Sequence, residues 1–172
     1  WGDFDMEGDL DILIAGNDGT NRQLRIYKNN GNGTMDGTQI EVDGANNGLD
    51  DGAVAWGDTD NDGDLDILAS GNNGSGQLRV YKNNGNATFD AVQIEVDGLN
   101  GGPNEGDCAW GDFDLDGDID IALIGNRRIW VYKSNGNGTF DGNEIWVNAL
   151  SDGLIQGGIA WGDYDSDGDP DL

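Results

Sequence analysis

Apolar and polar positions alternate in short segments along the chain, and runs of Gly, Asn and Asp separate the segments. Residues 77–82 place Leu78 and Val80 on one face and Arg79 and Tyr81 on the other, the period of two expected of a strand. Leu10, Ile12, Leu13 and Ile14 form a nearly continuous apolar run, the pattern of a strand covered on both faces. With 53–57, 65–70 and 92–96, segment 77–82 makes a set of four predicted strands. Asn-Gly-Asn turns between the third and fourth supply the positive-φ positions that a hairpin needs. No segment shows helical periodicity.

The set recurs. Trp-Gly-Asp stands at Trp1, Trp56, Trp110 and Trp161, in steps of 55, 54 and 51 residues. Tyr-Lys at Tyr27, Tyr81 and Tyr132 advances by 54 and 51, as do Ile40-Glu41-Val42, Ile94-Glu95-Val96 and Ile145-Trp146-Val147. Because the landmarks drift together, each repeat is one structural unit. The repeats span 1–55, 56–109 and 110–160, with a partial copy over 161–172. A unit of about 50 residues with four antiparallel strands matches a propeller blade. The expected fold is therefore all-β, a β-propeller of four-stranded antiparallel blades, about three of them in this chain. An open stack of such sheets or a β-solenoid is the alternative, the solenoid fitting less well because its repeats are shorter. Residues 1–12 and 161–172 are copies of one segment, so the chain is expected to be a fragment of a longer array or to be completed by further copies.

Each Trp-Gly-Asp opens an acidic loop: 3–11, 58–66, 112–120 and 163–171. All four follow D-x-D-x-D/E-G-D-x-D. The acids are Asp3, Asp5, Glu7, Asp9 and Asp11; Asp58, Asp60, Asp62, Asp64 and Asp66; Asp112, Asp114, Asp116, Asp118 and Asp120; and Asp163, Asp165, Asp167, Asp169 and Asp171. Five carboxylates in nine residues repel one another without a cation. Calcium (Ca2+) wants six to eight oxygens, and a tightly curled loop aims side chains 1, 3 and 5 at one centre while Gly at 6 permits the sharp turn. This is the logic of the first half of an EF-hand loop. The closing Glu of that motif is missing, and Ile14, Ala69 and Leu123 stand at its position, so the acid at position 9 must close the site. Magnesium demands stricter geometry, which favours calcium as the cofactor. The first loop departs by Glu7 at position 5 and the fourth by Pro170, so loops 58–66 and 112–120 are the firmest sites.

Charge and composition narrow the function. The net charge is −26, and its acids cluster in the four loops, which excludes nucleic acid and anionic membrane surfaces as electrostatic partners. With 31 Gly and no His, the chain lacks the commonest general base and zinc ligand, so no enzyme is expected. No apolar stretch is long enough for membrane insertion, and no signal peptide is visible. Cys108 stands where the neighbouring repeats carry Val54 and Ile159, which predicts a buried strand residue. Asn32, Asn73, Asn86 and Asn137 begin N-x-S/T sequons in Gly-rich turns and are candidates either for glycosylation or simply for turn chemistry. Trp130 and Trp146 replace the Arg and Glu of the other repeats. As cross-strand neighbours they either pack within the blade or against a partner, or stack on a sugar ring.

The acidic nonapeptide after Trp-Gly-Asp, followed by Tyr-Lys-Asn-Asn-Gly-Asn-type segments, resembles the FG-GAP/VCBS repeat family, which occurs in integrin α-subunit propellers and in secreted microbial proteins and lectins. The resemblance covers essentially the whole chain. It implies a seven-bladed propeller with calcium between the first two strands of a blade. The implied ligands are the acids at positions 1, 3, 5 and 9 and the carbonyl at 7. A propeller of that size needs more blades than the three repeats supply. The expected function is a calcium-binding adhesion or binding module, extracellular or at the cell surface. Calcium would be structural, and the ligand a protein or glycan. The alternative is a structural repeat protein that self-associates end to end into a filament or surface layer.

Overall fold

The period-two segments pair into antiparallel sheets. The computed structural model describes residues 1–44, 47–96, 101–142, 145–149 and 154–172. Among them there is no helix, and so none long and apolar enough to cross a membrane. The first sheet holds β1 (Ile12–Asn17), β2 (Arg22–Tyr27) and β3 (Ile40–Glu41). The second holds β4 (Asp50–Gly57), β5 (Asp66–Asn72), β6 (Gly76–Tyr81) and β7 (Ile94–Glu95). The third holds β8 (Gly106–Gly111), β9 (Asp120–Gly125), β10 (Arg128–Tyr132) and β11 (Ile145–Ala149). In each sheet consecutive strands are hydrogen-bonded neighbours, the up-and-down order of a propeller blade. β4 begins at Asp50 and β8 at Gly106, ahead of Trp56 and Trp110, so the second and third sheets start inside the end of the preceding sequence period. The fourth strand is shorter than its pattern suggests: only Ile94 and Glu95 pair with β6, and Val92 is exposed.

The alternation in β5 and β6 decides what lies between sheets. Ile67, Ala69 and Tyr81 join Leu13, Leu24 and Ile26 in the seam between the first and second sheets. Leu68, Leu78 and Val80 point the other way and meet Cys108, Ile121, Leu123, Trp130 and Tyr132. Full burial of each Leu or Ile stabilises by about 1.5–3 kcal/mol, so two such seams supply most of the driving force. Cys108 is buried, as its position in the repeat predicts.

The two seams differ in polarity at one equivalent cross-strand pair. In the second sheet Arg79 faces Glu95, is 5% exposed, and reaches across to Asp43 at 3.1 Å. Tyr81 donates its hydroxyl to the same carboxylate at 2.9 Å. In the third sheet the pair is Trp130 and Trp146. Trp130 is 3% exposed inside the seam, so it packs there and is not open to stack on a sugar. The side chain of Trp146 lies outside the described residues.

The covering of both strand faces expected for the first repeat holds for its counterparts only. Ala69 and Leu123 are fully buried, whereas Ile14 at the same position is 38% exposed. The first sheet has a packed neighbour on one side, and Ile14 lies on the other.

Trp-Gly-Asp is a blade-to-blade contact. A Cβ on Gly2 would lie 2.7 Å from Trp56, one on Gly57 2.6 Å from Trp110, and one on Gly111 against Trp161. Each Trp covers the Gly of the preceding motif, and only Gly leaves room for the ring.

Candidate metal centre

Every acidic loop has one backbone trace. The position-1 carboxylate accepts two backbone N–H groups from the far side of the curl. Asp58 takes Asp62 at 3.0 Å and Gly63 at 2.9 Å, and Asp112 takes Asp116 at 3.1 Å and Gly117 at 3.0 Å. Asp3 and Asp163 do the same. The Gly at position 6 has φ between +91° and +95° in all four, a conformation that disfavours any side chain. Position 4 is left-handed as well, although Met6, Asn61, Leu115 and Ser166 fill it. The loop is then pinched shut by one Gly–Asp pair, Gly2 with Asp11, Gly57 with Asp66, Gly111 with Asp120 and Gly162 with Asp171.

The closing acid at position 9 is the most deeply set. Asp66 and Asp120 are fully buried and Asp11 is 1% exposed. One oxygen of Asp66 accepts the backbone N–H and hydroxyl of Thr59, and the other accepts the N–H of Asn83 at 2.8 Å. Asp120 is held likewise by Phe113 and Ser134, and Asp11 by Phe4 and Asn29. Burial pushes these three carboxyls above the ordinary aspartate range, and the backbone donors offset only part of that rise.

The carboxylates converge. Ligand oxygens of Asp3, Asp5 and Asp11 lie within 4.8 Å of one another, as do those of Asp58, Asp60 and Asp62, of Asp112, Asp114 and Asp120, and of Asp163, Asp165 and Asp171. At position 5, Asp62, Asp116 and Asp167 each also accept the N–H two residues on, and Glu7 pairs with Lys28. Position 7 goes elsewhere. The carboxylates of Asp9, Asp64 and Asp118 lie where a Cβ on Gly31, Gly85 or Gly136 would fall, against the Asn-Gly turn of their own blade. Asp118 also accepts the Asn61 amide of the preceding loop at 3.0 Å. Asp169 is outside the convergent group too, so the carboxylates at position 7 are not among those brought together.

A further group stands at each of the first three loops. Lys28 meets Asp5 at 2.6 Å and Glu7 at 2.8 Å, Lys82 pairs with Asp60, and Lys133 pairs with Asp114. Asp5, Asp60 and Asp114, each the nearest carboxylate, hold these ammonium groups above the ordinary lysine range. The lysines follow the last residues of β2, β6 and β10. Their signal in the sequence was the Tyr-Lys recurrence, which marks the repeat without disclosing a partner some twenty residues away.

The donor set fits a hard divalent cation. It consists of several carboxylate oxygens on a rigid curl with excess negative charge. Asp60 Oδ1 is buried and, among the described residues, has no hydrogen-bond partner. A desolvated anionic oxygen without a partner is costly, and a cation at that point removes the cost.

The loops are also built into the seams. Phe4, at position 2, is 1% exposed and stacks on Trp56 and Phe89 of the next blade at 6.0 and 6.2 Å. Its carbonyl accepts the Asn83 amide at 2.9 Å. Phe113 meets Trp161 at 6.3 Å, with the two rings tilted at 50° rather than stacked. The sequon residues Asn32, Asn86 and Asn137 are exposed, and each accepts the hydroxyl of its own Thr, so their side chains serve the turn.

The Cys108 thiol, the only one in the chain, is buried and pushed up to about 12.

A family model described as FG-GAP-like repeat matches three times, at residues 3–69, 58–123 and 112–172. Each match runs from one acidic loop into or past the next. No match was found among curated proteins. Among solved structures the chain is similar to a lectin of Agrocybe aegerita, described for its specific recognition of non-reducing terminal N-acetylglucosamine. The similarity has a TM-score of 0.51 at 22% identity and covers 81% of this chain. The chain spans 39% of that lectin's length. At that identity the likeness is one of fold.

Proposed function

The chain belongs to the FG-GAP-like repeat family, and on that premise we propose that it is a calcium-stabilised propeller module that binds a protein or glycan outside the cell. Calcium is structural in this reading and catalysis has no part. The acids at positions 1, 3, 5 and 9 would hold the ion. When bound, it would neutralise the curl and fasten the strand that leads in to the strand that leads out.

The observation that carries the proposal is the buried, unpartnered oxygen of Asp60 inside a cluster whose loop also forms part of a blade seam. An ion there acts on two blades. Extracellular modules bind calcium with Kd of roughly 10⁻⁴–10⁻³ M, which suits the outside of a cell and not a cytosol. The glycan half of the proposal is supported by the lectin fold relative and by the family's presence in binding proteins.

The test is a thermal melt in millimolar calcium, in millimolar magnesium and after chelation. Each filled site adds about 0.4–1.4 kcal/mol when calcium stands at roughly one to ten times its Kd. A Tm that falls on chelation and recovers with calcium more than with magnesium is expected. An unchanged Tm would sink the proposal. Light scattering on the same samples separates a discrete module from a calcium-dependent end-to-end polymer.

A further inference from the structure

The lysines after β2, β6 and β10 are not explained by charge neutralisation alone. Lys82 takes Oδ2 of Asp60, and the opposite oxygen of that carboxylate is the buried one that lacks a partner. Lys82 also lies 3.7 Å from Asp62 at position 5. Lys133 stands on Asp114 and Lys28 on Asp5, the same position 3 in the neighbouring loops. The register of each sheet fixes this placement: Tyr81 pairs with Ile67, the residue after the closing Asp66, so Lys82 emerges beside the loop mouth. Tyr132 and Ile121 repeat that pairing before Lys133, and Tyr27 and Ile12 before Lys28.

We propose that Lys82 and Lys133, with Lys28 in the first loop, are positioning residues for the metal: each ammonium holds one oxygen of the position-3 carboxylate so that the other is presented to the cation. The proposal rests on the calcium reading above. A carboxylate turns readily about its last torsion, which is broad and two-fold. A donor fixed on the outer oxygen removes that freedom before the ion arrives, as outer-shell partners of metal ligands do. Repulsion between ammonium and calcium works against this. Yet loop 58–66 carries five carboxylates, more charge than one calcium and one lysine together neutralise, so it stays net negative with both in place. The sign of the lysine's effect on affinity therefore separates an orienting group from a competing counter-ion.

The experiment is calorimetric titration of calcium into the parent chain, the Lys82→Met/Lys133→Met variant and the Lys82→Arg/Lys133→Arg variant. Circular dichroism in excess calcium checks that each is folded, and Lys133→Met alone replaces the double variant if that fails to fold. Binding at the affected loops should weaken 10- to 100-fold with Met and return to within a few-fold of the parent with Arg, whose guanidinium restores the donor. Equal or tighter binding by the Met variant overturns the proposal, as does failure of Arg to restore it. A parent chain that binds no calcium overturns the calcium reading itself, and this inference with it.

Discussion

Loops 58–66 and 163–171 share one pattern and one curl but live in different surroundings. Gly63 and Gly168 have the same φ of +94°, and Asp58 and Asp163 accept corresponding N–H groups. Both loops close on a Gly–Asp pair. Asp66 is nevertheless fully buried and Asp171 exposed, and Thr59 is 1% exposed where Tyr164 is 92% exposed. The difference is the strand and blade that pack on the first loop: β6 brings Lys82 and Asn83, and the next blade brings Trp110. The curl belongs to the nine residues themselves, whereas the depth of the site comes from its neighbours.

The comparison breaks most sharply at position 9. Asp66→Ala should destabilise by about 3–5 kcal/mol, because Thr59 and Asn83 lose a buried acceptor for their N–H groups. Asp171→Ala, at an exposed site holding Tyr164 alone, should cost less than about 1 kcal/mol. Urea titrations in calcium read both. Equal losses would show that burial of the closing acid is irrelevant.

Gly57→Val against Gly162→Val is the next largest contrast. The first drives a side chain into Trp110 and should cost about 1–3 kcal/mol. The second meets nothing within 4 Å and should be nearly silent. Thermal melts of the two variants give the answer directly.

The smallest effect sharpens the shared half of the comparison. Position 4 is left-handed in every loop, and Asn tolerates that conformation better than Leu or Ser. Leu115→Asn and Ser166→Asn should each gain roughly 0.5–1 kcal/mol. Similar gains in a packed and an exposed loop would confirm that the curl is local; a gain in one alone would not.

Much of this was legible in the sequence because it is local or strictly periodic. The faces of β6 follow from the alternation of Leu78, Arg79, Val80 and Tyr81, and the curl follows from Asp at 1 and Gly at 6. Cys108 was placed by its register in the repeat. What stayed hidden depends on strands that meet only after folding. Lys82 finds Asp60 because β5 and β6 pair in one register, and Phe4 enters the next blade because Trp56 and Phe89 line the opening. Position 7 was expected to offer its carbonyl, and what stayed hidden there is that the Asn-Gly turn across the hairpin claims its carboxylate. The exposed face of β1 has the same cause as exposed Asp171: an apolar pattern calls for a covering blade and does not supply one.

The most direct test of the central claim is a calcium-binding isotherm on the parent chain, repeated with Asp60→Asn/Asp114→Asn. The account predicts saturable binding at loops 58–66 and 112–120, tighter for calcium than for magnesium, and loss of those sites in the double variant. Absence of saturable calcium binding, or binding unchanged by the substitutions, would contradict it.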